Sequence, residues 1–344
     1  PPPPKPLDPR IKKILVPAIA VIALIVLYIA WSFGEVYLSR MFVKSYPPTL
    51  LYGIEESNDI QYVDLNTMKI NTVTMSSGFK DVTYSDKSKF FYGLDFSGET
   101  LIEFDVHTRK MLRSVKIGKE ASSITLSLNN DTAYVTNYRS DNLSIIDLTK
   151  FKEVLPAVLV GSGPVKSVLS SDGRTLCILN ERQNTVAFLN TRDNILTGSA
   201  TLGQDGKDLA MSQDNTKIYV VHSFSDKLST INISTKNVIK TLSVPSGPVG
   251  IVSLRKVNKL YIITENSKEL LFVDPEEGIK DRVSLDFIPI HMALSSDTDE
   301  KIIFITGRSL SGYVVALYDR LNKQCKIISQ PARAPVFILP IYIW

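Results

Sequence analysis

The sequence predicts an all-β fold, a seven-bladed β-propeller with four-stranded blades, preceded by a single transmembrane α-helix. Two observations support this prediction. A segment of about 42 residues recurs seven times between Leu50 and the last of the 344 residues, and an uncharged run of 21 residues precedes these repeats. The centre of one repeated strand recurs every 40 to 43 residues. Its seven occurrences are Tyr52, Tyr92, Tyr134, Cys177, Tyr219, Tyr261 and Phe304.

Each repeat consists of short apolar and β-branched runs separated by turn residues. Runs such as 218–221 and 260–263 are too short for helices and are typical of strands. A period of about 40 residues built from four such strands indicates a propeller blade. In the fourth repeat we predict an inner strand at 164–170, a second at 175–180, a third at 185–190 and an outer strand at 197–202. Serine, Asp, Asn and Gly residues after the inner strands favour tight turns.

The two ends of the repeat array predict how the ring closes. Residues 50–54 match a second strand, so the first blade lacks its own inner strand. Residues 334–340 match an inner strand with no further repeat after it. We therefore expect the propeller domain, 50–344, to close by adding this C-terminal strand to the first blade. Closure of this kind removes the open edges that a sheet otherwise exposes.

The best-preserved copy of the repeated strand carries the motif Tyr134-Val135-Thr136-Asn137. Degenerate copies are Tyr92-Gly93-Leu94-Asp95, Cys177-Ile178-Leu179-Asn180, Tyr219-Val220-Val221-His222 and Tyr261-Ile262-Ile263-Thr264. Residues 50–344 resemble the YVTN family of β-propeller repeats, which is named for this motif. The resemblance implies the propeller fold and a location outside the cytoplasm. It implies no particular chemistry, because a fold alone does not determine function.

Residues 14–34 contain no charged side chain and predict one transmembrane helix. At about 1.5 Å per residue such a helix is about 31 Å long, close to the thickness of the hydrocarbon core of a bilayer. The apolar stretch runs from Ile14 through Leu24, and Tyr28 and Trp31 suit the interface at its far end. A cleaved signal peptide is the competing interpretation. Signal peptides have apolar regions of about 7–15 residues and a small-residue cleavage site, so the longer run favours a retained anchor.

Basic residues beside this span predict its orientation. Arg10, Lys12 and Lys13 place the tail, 1–13, in the cytoplasm and the propeller in the periplasm or outside the cell, by the positive-inside rule. The protein is therefore expected to be a single-pass protein of the cell membrane. The Pro-rich tail favours an extended polyproline II conformation, either as a docking segment for a cytosolic partner or as a disordered leader. Residues 35–49 are predicted to form a juxtamembrane stalk with a short helix that ends at Pro47.

The composition argues against nucleic-acid binding. The net charge is only +4, and the tail contributes four basic residues, so the propeller is close to neutral. The sequence has no basic stripe with interleaved aromatic residues, which a nucleic-acid surface would require. Its two cysteines, Cys177 and Cys325, fall on different blades, too far apart for a disulfide. We expect both to be buried as small apolar residues.

The sequence contains no familiar catalytic motif. It has no G-x-S-x-G nucleophile elbow, phosphate loop, dinucleotide fingerprint or CxxC pair. The histidines are His107 in a turn, His222 at the end of a second strand, and His291, assigned to the inner strand of the sixth blade. None has the close spacing of metal ligands. We therefore expect no catalytic residue, metal or cofactor, although a metal bound across the channel by His291, Asp81 and Asp208 is an alternative.

One set of polar residues is predicted to meet at the mouth of the central channel. Counting back from the inner-strand serines aligns Lys80, Ser122, Lys166, Lys207 and Ile290 at one ring position. The next position aligns Asp81, Ser123, Ser167, Asp208 and His291. Three converging lysines would attract an anion or an acidic partner, and the two carboxylates would temper that attraction. A hydrated rim without any ligand is the alternative.

These features favour a non-catalytic accessory or scaffold subunit. One helix would lie among integral membrane protein subunits and the lipid bilayer, while the propeller would dock on the extracytoplasmic side of a larger membrane complex. A rigid propeller that displays many loops suits such docking. The alternative is an extracytoplasmic ligand-binding sensor or a propeller enzyme, lactonase-like or redox-cofactor-binding, that uses the channel mouth.

Overall fold

The computed structural model describes residues 49–105, 110–154, 156–203, 205–295 and 300–341. The predicted tail at 1–13, the transmembrane helix at 14–34 and nearly all of the stalk lie outside these residues, as does His107. Thr49, which we had assigned to the stalk, already belongs to the first strand. Within the described ranges no helix has the length and apolar character needed to cross a membrane.

The described residues form 29 strands, grouped into seven sheets. Blade one contains β1 (Thr49–Ile54), β2 (Asp59–Asp64) and β3 (Ile70–Thr74), together with β29 (Pro335–Ile341). Blade two contains β4 (Phe79–Tyr84), β5 (Phe91–Asp95), β6 (Thr100–Asp105) and β7 (Lys110–Lys116). Blade three contains β8 (Ala121–Leu126), β9 (Thr132–Asn137), β10 (Asn142–Asp147) and an outer strand in two pieces, β11 (Lys152–Glu153) and β12 (Val158–Leu159).

The remaining four blades each contain four consecutive strands. Blade four contains β13 (Pro164–Leu169), β14 (Thr175–Asn180), β15 (Thr185–Asn190) and β16 (Ile195–Thr201). Blade five contains β17 (Gly206–Met211), β18 (Lys217–His222), β19 (Lys227–Asn232) and β20 (Asn237–Ser243). Blade six contains β21 (Pro248–Ser253), β22 (Leu260–Thr264), β23 (Glu269–Asp274) and β24 (Gly278–Ser284). Blade seven contains β25 (Ile288–Leu294), β26 (Ile302–Ser309), β27 (Gly312–Asp319) and β28 (Gln324–Ser329).

The inner strands contact one another in a closed ring. The contacts run from β29 to β4, β8, β13, β17, β21 and β25 and then return to β29. All neighbouring strands within a blade pair antiparallel, so each inner strand starts at one face of the ring and ends at the other. We call the face where inner strands start the mouth face and the face where they end the turn face. The prediction of a seven-bladed propeller with four-stranded blades is confirmed.

The ring closes as predicted, through the C-terminal strand. β29 pairs with β1 along its whole length, from Thr49 opposite Ile341 to Ile54 opposite Pro335. Phe337 packs over Gly53, where an added Cβ would lie 2.2 Å from the Phe337 ring. Only glycine leaves this space, because every other residue carries a Cβ atom. The same crowding explains why the repeated motif carries glycine, not valine, in this blade.

Serine side chains fix the turns at the ends of the inner strands. The Ser127 Oγ accepts a hydrogen bond from the Thr132 backbone N–H at 3.0 Å, and Ser170 and Ser212 make the equivalent bond in blades four and five. Asn130 adopts a left-handed backbone conformation in the first of these turns, which Asn tolerates better than most residues. These bonds explain why a serine recurs at this point of the repeat.

The apolar core lies between neighbouring blades. Between blades four and five, for example, Leu179 and Phe188 pack against Ile218 and Val220, all of them fully or almost fully buried. Cys177 belongs to this core, as expected. The expectation that Cys325 is also buried is wrong, because it lies on the outer strand β28 and is exposed to solvent.

Candidate site at the channel mouth

The channel along the propeller axis widens into two cavities. The mouth cavity has a volume of about 460 Å³ and is lined by the first residues of the inner strands. The axial cavity has a volume of about 660 Å³ and extends to the serine turns of the turn face. Lys166 lines both cavities and therefore stands between them.

A β-bulge in every inner strand shapes the mouth cavity. In β4, Phe79 pairs with Asp95 and Asp81 with Leu94, so Lys80 between them has no partner on β5. The other six inner strands shift register at the same point. Bulges leave one residue outside the ladder. The seven bulged residues, from blade one to blade seven, are Val336, Lys80, Ser122, Val165, Lys207, Val249 and Ile290, and all of them line the mouth cavity.

The register corrects our alignment of blade four. Lys166 pairs with Leu179, which makes it equivalent to Asp81 and Asp208, and the residue equivalent to Lys80 is Val165. Our count started one residue too late, because blade four has two successive serines and only Ser170 holds the turn. The structure therefore brings two lysines, and not three, to the bulge position.

Asp81 and Asp208 each connect two neighbouring blades. One oxygen of Asp81 accepts the Val82 backbone N–H, and the other accepts the Ile124 N–H from the next blade, both at 3.0 Å. Asp208 makes the same pair of bonds, to the N–H groups of Leu209 at 2.8 Å and Ile251 at 3.0 Å. Each carboxylate therefore joins its own inner strand to the following one.

The two carboxylates differ in their charged neighbours. The Lys166 ammonium lies 2.6 Å from Asp208, and the Asp208 side chain is buried. Asp81 has no ion pair within the described residues. Burial raises the pKa of Asp81 to about 6, although its two backbone hydrogen bonds and the more distant Lys166 charge oppose this shift.

His291 lies on β25, in blade seven and not in blade six as we had assigned it. Its ring faces the water of the mouth cavity but is enclosed by the channel walls. This enclosure, with the charges of Lys166 and Lys207, lowers the pKa of His291 to about 4. The imidazole is therefore neutral at pH 7. Among the described residues no group of three His, Cys, Asp or Glu side chains is arranged to hold a metal ion, so His291, Asp81 and Asp208 form no such group.

Lys80 and Lys207 are the cations left for a ligand. Both line the mouth cavity, and within the described residues neither has an ion-pair partner. Their blades, two and five, lie almost opposite each other across the ring of seven. Glu265, in the turn after β22, lines the same cavity and likewise has no ion pair among the described residues.

Sequence reasoning missed the apolar side of this cavity. Val249, Ile290 and Val336 come from the consecutive blades six, seven and one, and all three are partly exposed on the channel wall. Our count from inner-strand serines could not reach Val249, because Leu254 takes the place of the serine in blade six. Pairing each second strand with its inner strand would have found all seven positions.

Fold and site together define a seven-bladed β-propeller with a charged central channel. No protein-family model matches the chain, and no curated protein matches it. Among solved structures, it is similar to hydrazine synthase from Kuenenia stuttgartiensis, with 18% identity, a TM-score of 0.62, and coverage of 72% of this chain and 78% of that one.

Two further structures match over most of their length. A functionally unknown protein from Desulfotomaculum acetoxidans is 12% identical, with a TM-score of 0.72 and coverage of 86% of this chain and 99% of that one. A putative 6-phosphogluconolactonase from Bacteroides fragilis is 14% identical, with a TM-score of 0.67 and coverage of 87% and 99%. At these identities the likeness establishes the fold alone.

Proposed function

We propose that this protein is a non-catalytic accessory subunit, anchored in a membrane by residues 14–34. In this proposal its propeller docks through the turn face on the extracytoplasmic side of an integral membrane protein. Membership of the YVTN family and a location outside the cytoplasm belong to the same proposal. They are supported by the repeat pattern and by the basic residues before the uncharged run.

The observation that carries the proposal is the position of the first and last described strands. Thr49 at the start of β1 lies opposite Ile341 at the end of β29, and both are at the turn face. The uncharged run ends at Gly34, and only 14 residues, 35–48, separate it from Thr49. A membrane anchor in that run would therefore be joined by a short connection to the turn face.

The turn face also displays apolar side chains at the tips of its loops. Leu128, Ile195 and Leu321 are 58%, 60% and 73% exposed. Leu128 and Leu321 belong to turns of blades three and seven, and Ile195 is the first residue of β16, next to a turn of blade four. Met68 and Val257 are exposed in turns of blades one and six on the same face. Single exposed apolar residues are ordinary, and five of them on one face support the proposal that this face docks on a partner.

The experiment is extraction of the full chain in mild detergent, native-gel separation and mass spectrometry of the proteins that migrate with it. We expect co-migration with membrane subunits, and loss of it in a Leu128→Ser, Ile195→Ser, Leu321→Ser variant. The matched control is Phe224→Ser with Leu310→Ser, which removes two exposed apolar side chains from the mouth face. If only the control variant disrupts co-migration, the propeller docks on its partner through the mouth face and not through the turn face. If the wild-type protein migrates alone but binds protein-free liposomes, the partner is the lipid bilayer and not a membrane protein.

A ligand-binding role is the second candidate, and the mouth cavity is the observation that favours it. The neighbours include enzymes, but they support only the fold. Lys80 and Lys207 face water in a concave site, which suits binding of an anion. This role is compatible with docking, because the mouth cavity opens on the face opposite to the turn face.

A further inference from the structure

We propose that the mouth cavity binds a small organic anion with an apolar body. The body lies against blades six, seven and one, and the acid group lies between Lys80 and Lys207. This inference goes beyond the accessory role and does not depend on it.

The wall of the mouth cavity is divided into an apolar arc and two flanking cations. Around the ring, the bulged residues of blades five, six, seven, one and two are Lys207, Val249, Ile290, Val336 and Lys80. Three consecutive apolar side chains thus stand between two lysines. An anion without an apolar part would leave this arc against water, and a neutral apolar molecule would leave both ammonium groups without a partner.

Within the described residues, the carboxylates of the cavity form no ion pair with these two lysines. Asp208 is paired with Lys166, and both oxygens of Asp208 and of Asp81 already accept backbone N–H groups. Two lysines then face one free carboxylate, Glu265. The three lysines and three carboxylates of the lining sum to zero formal charge, but backbone N–H groups hold Asp81 and Asp208, so Lys80 and Lys207 are the groups available to attract an anion.

The cavity has the size of a small-molecule site. Its volume of about 460 Å³ falls in the range of about 300–1,000 Å³ that is usual for such sites. Phe337 and Met292 extend the apolar arc below the bulged residues. An aromatic ring or a short branched chain fits this arc better than an extended polymer.

Isothermal titration calorimetry on the full chain in detergent, with empty micelles as the blank, tests the proposal. The probes are 3-phenylpropionate, phenyl phosphate, the neutral analogue 3-phenylpropanol, and acetate as an acid without an apolar body. We expect one molecule of 3-phenylpropionate or of phenyl phosphate to bind per chain, and the stronger of the two identifies the acid group. 3-Phenylpropanol and acetate should each bind about tenfold more weakly, or not measurably.

Variants locate the binding. Lys80→Gln with Lys207→Gln should weaken binding of the acid about tenfold, and the double arginine variant should retain it because the charges remain. Glu265→Gln should strengthen it, since the opposing charge is removed. The matched control, Lys87→Gln with Lys152→Gln, removes two exposed lysines outside the cavity and should change nothing.

Three results would overturn the proposal. They are no binding of either acid to the wild-type protein, equal binding in the Lys80→Gln, Lys207→Gln variant, or equal binding of 3-phenylpropanol. None of these would affect co-migration with membrane subunits, so failure here is distinguishable from failure of the accessory role.

Discussion

The inner strands of blades two and five carry the same carboxylate in two different settings. Asp81 and Asp208 occupy equivalent register positions and bind the same two kinds of backbone N–H, one in their own strand and one in the next blade. Asp208 is also paired with Lys166, whereas Asp81 has only the more distant charge of that lysine.

This difference indicates the role of the two aspartates at their shared register position. In both blades the carboxylate accepts the N–H groups that join neighbouring blades, whether or not a cation is paired with it. The lysine at the same position in blade four compensates one carboxylate and not the other. We conclude that the aspartates belong to the scaffold of the channel and that Lys80 and Lys207 are its available charges.

The largest effect is expected for Asp208→Ala. Loss of the carboxylate leaves the buried N–H groups of Leu209 and Ile251 without acceptors. This should lower the free energy of unfolding by about 3 kcal/mol, since each unsatisfied buried donor costs about 1–3 kcal/mol. Urea unfolding at pH 7 measures it. Asp81→Ala should cost less at this pH, and the exposed control Asp286→Ala should cost almost nothing. If Asp208→Ala and Asp81→Ala lower the free energy of unfolding equally, the ion pair with Lys166 does not stabilise the Asp208 carboxylate.

A smaller effect is expected from pH, and it concerns Asp81. In the folded protein Asp81 holds its proton up to about pH 6, whereas the unfolded chain releases it near 3.8. The stability from this protonated carboxyl is therefore present below pH 3.8 and is lost as the pH rises to about 6. Allowing for partial exposure, the loss is about 2 kcal/mol.

Urea unfolding of the wild type and of Asp81→Asn at several values between pH 4 and 7 isolates this contribution. The stability of the wild type relative to the variant should fall as the pH rises. A difference that grows with pH would show that the two backbone hydrogen bonds outweigh burial.

The smallest effect is expected for Lys166→Met. The Lys166 side chain is 45% exposed, so solvent screens the ion pair, and Asp208 keeps its two backbone donors. The loss of stability should be about 1 kcal/mol or less. Because the Lys166 charge lowers the pKa of Asp81, the variant should also move the pH-dependent transition of Asp81 upward. A transition at an unchanged pH would show that the two groups do not interact.

The sequence predicts the fold well because the strands, the turns and the period of the repeat each have a recognisable pattern. Alternating apolar strands, serine turns and a constant period define the blades, and the unmatched strands at 50–54 and 334–340 predict the closure that β1 and β29 form. The exposure of Cys325 was predicted wrongly, because the repeat pattern does not show that an outer strand has one face in solvent.

The candidate site was predicted less well. The six site residues that we named all line the mouth cavity, but the bond between Lys166 and Asp208 and the backbone bonds of the aspartates depend on bulges. Counting along the sequence misplaced Lys166 because blade four has two successive serines and only Ser170 holds the turn. The apolar arc was missed because Val249 follows a repeat without the marker serine, and Val336 lies beyond the last one.

The pairing of β29 with β1 also has a consequence for biosynthesis. β1 is synthesised before β2 to β28, but its partner β29 follows all of them. Until β29 arrives, β1 presents an unpaired edge that can add strands from other chains. A ribosome that stops before Pro335 would release a chain whose first blade cannot be completed and which is prone to aggregate. The closing strand thus makes completion of the ring depend on synthesis of β29, after all the other strands of the propeller.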